Sequence, residues 1–487
     1  MTDAMDTGRT GRLIGFLVAP VVAVVLMLLG PPEGLDGDAW TVAVLTLFMA
    51  TWWITEVVPI PVTALLPIVV LPVAGVGTPA DVTTPYANPL VFLFLGGFVI
   101  ALAIQQWGLH RRMALLLLHY CGQRPDHVVG GFIAGSAGLS MWVSNTATAA
   151  MMLPIGLSVL AVMDTTRGEH DAMSQHRFSL ALLLGIAFGA NVGGMATLIG
   201  TPPNAILAGF MSDTYGVQIG FGQWMAVGMP VSLVLLLACW WALTRWAFPL
   251  DRRPAEGISA IIRDRRAELG PISGSERRVL LVFLGTALAW VFRPLLETVT
   301  AASISDAGIA ITAAVALFLL PAAGPRRAAL LDWKSTRELP WGVIILIGGG
   351  LSLGTAIEAS GLAAAVAEQL TALGALPLVV VVTAVVGLTI LLSHVASNTA
   401  TAATLMPVVT SVALSIDRPP LVLAVAVALA ASCAFMLPVA TPPNAIIFGS
   451  ERLRVADMAQ AGWRVTLFAI PLILAGSLIL TPWLLLR

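Results

Sequence analysis

The residues with chemistry to offer in this chain come in pairs. Ser144–Pro154 reads SNTATAAMMLP and Ser397–Pro407 reads SNTATAATLMP, identical at eight of eleven positions and 253 residues apart. A second motif, TPPNAI, follows each of them, at Thr201–Ile206 and Thr441–Ile446. Short hydroxyl and amide side chains satisfy the free backbone groups of a turn, which suits Ser-Asn-Thr to the tip of a helical hairpin. Helix starts at such a tip present N–H groups that attract anions. In TPPN, Pro202 and Pro203 lack N–H donors and should free the carbonyls of Leu198 and Ile199. Pro442 and Pro443 should do the same for Pro438 and Val439. Freed carbonyls beside hydroxyls make an oxygen cage for an alkali cation. The half-helix beyond each break is expected to begin near Asn204 or Asn444, its positive end facing the break. No Arg or Lys lies in either hairpin core or either break. An anion held there must be neutralised by helix ends and co-bound cations, the chemistry of cation-coupled anion uptake.

The elements that position these motifs must lie in a membrane. Of 487 residues 58% are hydrophobic and 10% charged, against about 25% charged in a soluble domain, too few to cover a wet surface. Apolar runs long enough to cross about 30 Å of hydrocarbon recur throughout, so the chain reads as an all-α polytopic membrane protein. Crossings are expected near 13–30, 39–58, 61–76, 87–107, 178–210, 224–247, 279–298, 305–321, 341–359, 420–449 and 465–486. Regions 127–163 and 376–415, with their polar cluster at the centre, are expected to enter and return on one side as re-entrant hairpins. With that alternation, all of the 25 basic residues except Arg293, Arg418 and Arg487 fall on one side. An excess of basic residues marks the cytoplasmic side. The N-terminus is therefore expected inside and the C-terminus outside, in a plasma (inner) membrane. No cleavable signal peptide is expected, since 13–30 is long enough to span. Cys121, Cys239 and Cys433 are too scattered for a disulfide framework or a metal motif.

The repetition extends beyond the motifs. At the 253-residue offset Gly96 becomes Gly349, Ala103-Ile104 becomes Ala356-Ile357 and Gly108-Leu109 becomes Gly361-Leu362. Five crossings separate the two hairpins, so they enter from opposite sides and the halves are inverted copies. Secondary transporters of that design bind substrate at mid-membrane, where the repeats meet. The expected organisation is an N-terminal segment and first helix (1–38), a first repeat (39–248), a cytoplasmic Arg-rich linker (249–278) and a second repeat (279–487).

Paired SNT tips, each followed by TPPN, resemble the divalent anion:sodium symporter family, which carries dicarboxylates, tricarboxylates or sulfate. WWITEVVPIPVTALLP at Trp52–Pro67 and ASCAFMLPVATPPNAIIF at Ala431–Phe448 are similar to it as well, over roughly residues 50 to 450. The resemblance implies a homodimer working as an elevator, with a scaffold and a moving domain that holds both hairpins. It implies one sodium site from Ser140, Ser144, Asn145 and Gly200, and another from Ser393, Ala396, Asn398 and Ala440. Substrate carboxylates would meet Ser144, Asn145, Thr146, Ser397, Asn398 and Thr399, with Thr201, Thr441 and Pro442 nearby. His394 departs from the family, which often has an acidic residue there; it either titrates near neutrality or is hydrogen-bonded within the hairpin, the latter expected. Glu56 and Glu358 lie near membrane ends outside the doubled motifs and are expected to be structural.

The function expected is sodium-coupled symport of C4-dicarboxylates such as succinate, malate or fumarate, with sodium the coupling ion and no organic cofactor. A dicarboxylate exchanger and a sodium-coupled sulfate or citrate transporter are the alternatives. An intramembrane enzyme would need a nucleophile–base pair or a metal cluster. The six histidines are dispersed, and no phosphate-cradling GxxxxGK loop supports an ATP-driven pump. A channel would not need two proline-broken helices.

Overall fold

The computed structural model describes residues 2–166, 172–251, 258–323, 328–369 and 376–485. Arg167, Arg252, Arg253, Arg326, Arg327 and Arg487, which contribute to the expected orientation, lie outside them. The described residues are helical nearly throughout, and their one extended pairing is an isolated bridge between Pro321 and Ala329. Seven helices among them are long and apolar enough to cross a membrane. An eighth results if Gly274–Val291 and Arg293–Thr300, bent by 81°, count as one span. Shorter apolar helices at Gly15–Leu29, Ile60–Val73, Asp306–Leu319 and Pro420–Ala431 fall where the sequence places further crossings.

Both hairpins form. Hairpin 1 climbs along Pro125–Ser140, turns, and returns along Asn145–Thr166. Hairpin 2 runs along Leu378–Val395, turns at Ala396 and Ser397, and returns along Asn398–Ser415. Both broken helices form too, and each break contains the carbonyls that the prolines are expected to free. Break 1 is the unwound stretch 195–201 between Ala172–Gly194 and Pro202–Tyr215. Break 2 is the stretch 432–441 between Pro420–Ala431 and Pro442–Phe448, with a single 3₁₀ turn at Pro438–Ala440. The second half-helices thus start at Pro202 and Pro442 rather than near Asn204 and Asn444. Proline suits the first helical position, where its fixed φ is preorganised and no N–H partner is needed. These prolines open a helix and do not rupture one.

The repeated glycines acquire physical reasons. Gly108 and Gly361 have φ of +70° and +76°, and each begins a short helix leading to its hairpin, Leu109–His119 and Leu362–Gln369. An L side chain in that backbone conformation costs roughly 1 kcal/mol. Gly96 and Gly349 serve close approach: a Cβ on Gly96 would lie 2.6 Å from Ala310 Cβ, and one on Gly349 would lie 2.7 Å from Ala64 Cβ. The helix of one repeat therefore presses on the other repeat at equivalent places.

The motif-bearing elements exchange partners in the same way. Pro442–Phe448 packs against the return arm of hairpin 1, and Pro202–Tyr215 against the return arm of hairpin 2. Ala172–Gly194 and Pro420–Ala431 pack instead on their own repeat's hairpins. Leu421–Ala431 is buried without exception, a run rich in alanine. Lipid gives no hydrophobic drive for helix association, so small side chains and close packing must supply it. Polar contacts near the helix ends join residues that the expected alternation places on one side. Asp126 pairs with Arg124 and Arg245 at 2.8 Å each, and Arg112 pairs with Glu276 at 3.1 Å. Arg293 pairs with Asp306 at 3.2 Å.

Candidate functional site

Each hairpin tip meets the break of its own repeat. In the first, Ser140 Oγ donates to Asn145 Oδ1 across the turn, and Ala147 N donates to Ser144 Oγ at 3.3 Å. Thr197 Oγ1, from break 1, donates to Met141 O in the turn at 2.5 Å. A Cβ placed on Gly194 would lie 2.7 Å from Asn145 Oδ1 and 3.0 Å from Gly200 O. Amide oxygen, hydroxyl oxygen and unwound backbone carbonyl thus converge, and Ser140 and Gly200 are buried. Ser144 and Thr146 are exposed, with Asn145 half-buried between them.

The second tip repeats the plan with different fasteners. Ser393, Ala396 and Ala440 are buried, Asn398 is half-buried, and the oxygens Ser393 Oγ and Asn398 Oδ1 have no hydrogen-bond partner. Ser397 is half-buried, Thr399 and Thr441 are buried, and Pro442 is exposed at the start of its half-helix. His394 stands where hairpin 1 has Met141. Its Nε2 accepts from Met436 N in break 2 at 3.1 Å, and its Nδ1 lies 2.6 Å from Ile390 O. Accepting at Nε2 requires the proton on Nδ1, so both ring nitrogens are used by a neutral imidazole. The hydrogen-bonded reading of His394 agrees with this geometry. Glu56 caps the helix Gly37–Thr55 with φ of +46°, and Glu358 is exposed near the end of Trp341–Ala359.

The asparagines of TPPN hold the breaks open. Asn204 Nδ2 donates to the carbonyls of Gly194, Met195 and Thr197 at 3.2, 3.3 and 2.8 Å. Asn444 Nδ2 donates to Ala434 and Leu437 at 3.0 and 3.1 Å, the equivalents of Gly194 and Thr197. Thr201 and Thr441 have nearly the same extended backbone, φ −148° and −143°. Sequence reasoning gave these asparagines no such role, although their place in a doubled motif was a signal. It missed Asn191 entirely. That buried side chain reaches from the first repeat to Thr441 Oγ1 at 3.0 Å and Asn444 Oδ1 at 3.2 Å. Its equivalent is Ala431, so no repetition marks it.

Two cavities are present among the described residues, and only the first borders a hairpin. One of about 540 Å³ runs along the return arm of hairpin 1, past Ala147, Met151 and Pro154, and is rimmed by His110, Arg111 and Arg265. The other, about 400 Å³, is lined by Asp81, Asn88, Asp213 and Thr355. Among the described residues no group of His, Cys, Asp and Glu could hold a metal ion. The arrangement can bind a hard monovalent cation through neutral oxygens and an anion through helix starts.

Residues 11–486 match the sodium:sulfate symporter transmembrane region. Among curated proteins, the chain is 39% identical over 479 residues to the "Sodium-dependent dicarboxylate transporter SdcS" of Staphylococcus saprophyticus. That alignment covers 97% of this chain and 92% of the relative. The protein of the same name from Staphylococcus aureus is also 39% identical, over 96% of this chain and 90% of the relative. Among solved structures, the Alcanivorax borkumensis YdaH transporter aligns with a TM-score of 0.54 at 14% identity, covering 97% of this chain and 98% of that one. Neisseria gonorrhoeae MtrF aligns with a TM-score of 0.53 at 12% identity, covering 93% and 97%. At those identities the two structures speak to the fold alone.

Proposed function

The chain belongs to the sodium:sulfate symporter family of divalent anion:sodium symporters, and from that premise we propose that it imports C4-dicarboxylates coupled to sodium. Membership makes it a membrane transporter and not an enzyme. The observation that carries the finer reading is the pair of equivalent oxygen clusters where each hairpin tip meets an unwound helix. One sodium ion is assigned to Ser140, Ser144, Asn145 and Gly200, and a second to Ser393, Ala396, Asn398 and Ala440. The dianion is assigned to the ends of the same tips: Ser144, Asn145, Thr146, Ser397, Asn398 and Thr399, with Thr201, Thr441 and Pro442 beside them. Lacking any cationic side chain, those ends bind a dianion only once sodium neutralises it, which makes coupling a consequence of electrostatics. The names of the staphylococcal relatives support sodium and a dicarboxylate as the pair carried.

In this reading sodium binds first and orders the tips, the dianion completes the site, and the hairpins and broken helices move together between two faces. Coupling follows if the two ligands favour the same conformation. The protein is assigned as a homodimer with its N-terminus in the cytoplasm and two inverted repeats, 39–248 and 279–487, joined by the basic linker 249–278. The test is uptake of labelled succinate by proteoliposomes under an inward sodium gradient against equal potassium. Concentrative uptake with sodium alone is the expected result. Uptake that depends only on internal dicarboxylate would establish an exchanger, and none at all would redirect the search to sulfate and citrate.

A further inference from the structure

We propose that Thr148 and Thr401 are additional sodium ligands, each giving its hydroxyl oxygen to the cation site of its own repeat; the proposal rests on the sodium sites assigned above. Both are the fifth residue of the run SNTAT, so they occupy equivalent positions 253 residues apart. Both side chains are enclosed, at 2% and 4% exposure, and neither hydroxyl has a hydrogen-bond partner. Thr63 and Thr214 are the other described threonines with a buried, unpartnered hydroxyl, and they are not equivalent positions of the two repeats. Thr244, Thr286, Thr389 and Thr410 instead return their hydroxyl to the carbonyl four residues back at 2.7 to 2.9 Å. For Thr148 and Thr401 that carbonyl is present: Ser144 O and Ser397 O accept their backbone N–H at 3.0 and 2.9 Å. The hydroxyls nonetheless leave it unused.

Their direction follows from helical spacing. Residues three apart share a face, so Thr148 lies one turn behind Asn145 and Thr401 one turn behind Asn398. Asn145 Oδ1 and Gly200 O both lie against Gly194. In the second repeat Ser393 Oγ, Asn398 Oδ1 and Thr401 Oγ1 are all unpartnered, three oxygens on the two arms of one tip. Burying a hydroxyl without a partner is unfavourable, and finding it at both equivalent positions points to a partner that comes and goes. A sodium ion takes oxygen lone pairs and leaves the hydroxyl proton free to turn to the carbonyl four residues back.

The experiment compares Thr148→Val and Thr401→Val, which keep the shape and remove the oxygen, with Thr148→Ser and Thr401→Ser, which keep it. Sodium dependence of succinate uptake is measured in proteoliposomes, and thermal unfolding in detergent with sodium or choline. Each valine variant should raise the sodium concentration for half-maximal uptake about tenfold, the loss of one hydrogen-bond-sized interaction with a charge. Serine should restore it. In choline the valine variants should unfold at or above the wild-type temperature, because an unpaired hydroxyl is gone; in sodium they should gain less stability than wild type. Should a valine chain fail to fold, Thr→Ala at the same position carries the same comparison. Wild-type sodium dependence in the valine variants overturns the proposal while Asn145→Ala and Asn398→Ala still lose their sodium response. If those asparagine variants also respond normally, the underlying sodium sites fall, and the threonine assignment with them.

Discussion

Single side chains hold the unwound segments in shape, and Asn204 is the clearest case. The carbonyl of Gly194 and two carbonyls of break 1, Met195 and Thr197, share its amide. Asn204→Ala leaves them without that donor inside the protein, a cost of about 1–3 kcal/mol for an unsatisfied buried group. The variant should therefore unfold at a lower temperature in detergent and lose most of its uptake, whereas Asn204→Gln, too long for the pocket, should recover little. Equal stability of the alanine variant and wild type would mean that the break needs no fastener. His394 supports the opposite kind of prediction. With Nδ1 facing Ile390 O and Nε2 occupied by Met436 N, it is a spacer with two hydrogen bonds. His394→Gln, which can also accept and donate, should keep uptake with an unchanged profile between about pH 6 and 8, the range in which an unperturbed imidazole titrates. Displacement of that profile would make the imidazole a proton-linked group. What the sequence revealed of this site depended on repetition. Asn145 and Asn398 stood out because two halves of the chain agree on them, while Ser140 and Ser393 entered through the family resemblance. Asn191 bridges the halves yet has alanine as its counterpart, and a contact made once leaves no repeat to notice.

Helices and hairpins were legible wherever an apolar run was long, and less so where a short element carries a bend. The tips near Ser144 and Ser397 lie where composition places them, since polar residues inside an apolar run have few other uses. Leu109–His119 and Leu362–Gln369 were not read as elements, because they are too short to span and only the repeated Gly-Leu hinted at them. The half-helix starts were placed two residues late for a physical reason: proline was read as a helix breaker, while here it occupies the first turn of the following helix. Glycine packing gives this level its test. Gly96 and Gly349 lie against Ala310 and Ala64 with no room for a methyl group, while a Cβ on Gly285 would meet nothing within 4 Å. Forcing extra carbon into a close-packed contact costs about 1–3 kcal/mol. Gly96→Ala and Gly349→Ala should each lower the unfolding temperature in detergent by similar amounts, as befits equivalent contacts. Gly285→Ala should behave as wild type. A harmless Gly349→Ala would show that the crossings near 61–76 and 341–359 part easily.

For the whole molecule, the question is which elements move as one body. Each half-helix beyond a break packs on the other repeat's hairpin, so neither hairpin can shift far without carrying both breaks. The four motif-bearing elements are interlocked, so if the protein works by the elevator movement proposed above, the moving unit must contain them all. Its boundary with the remaining helices is crossed by specific contacts. Trp142, beside the first tip, stacks on Phe221 at 6.0 Å between ring centres and meets Phe283 edge-on at 4.9 Å. Asn88, at the start of Pro89–Gln106, donates to Asp213 near the end of Pro202–Tyr215. If Pro202–Tyr215 travels while Pro89–Gln106 stays, that last contact must open in every cycle. Cysteines at 88 and 213, introduced in a Cys121→Ser background, should be bridged by mercury because the side chains already touch. Cys239 and Cys433 are buried and should not interfere. Uptake should stop on bridging and return when a thiol strips the mercury, while each single cysteine variant transports with or without it. Full-rate uptake by the bridged protein would mean that these two helices move together, and the boundary of the moving unit would then lie between Pro89–Gln106 and its neighbour Asp306–Leu319.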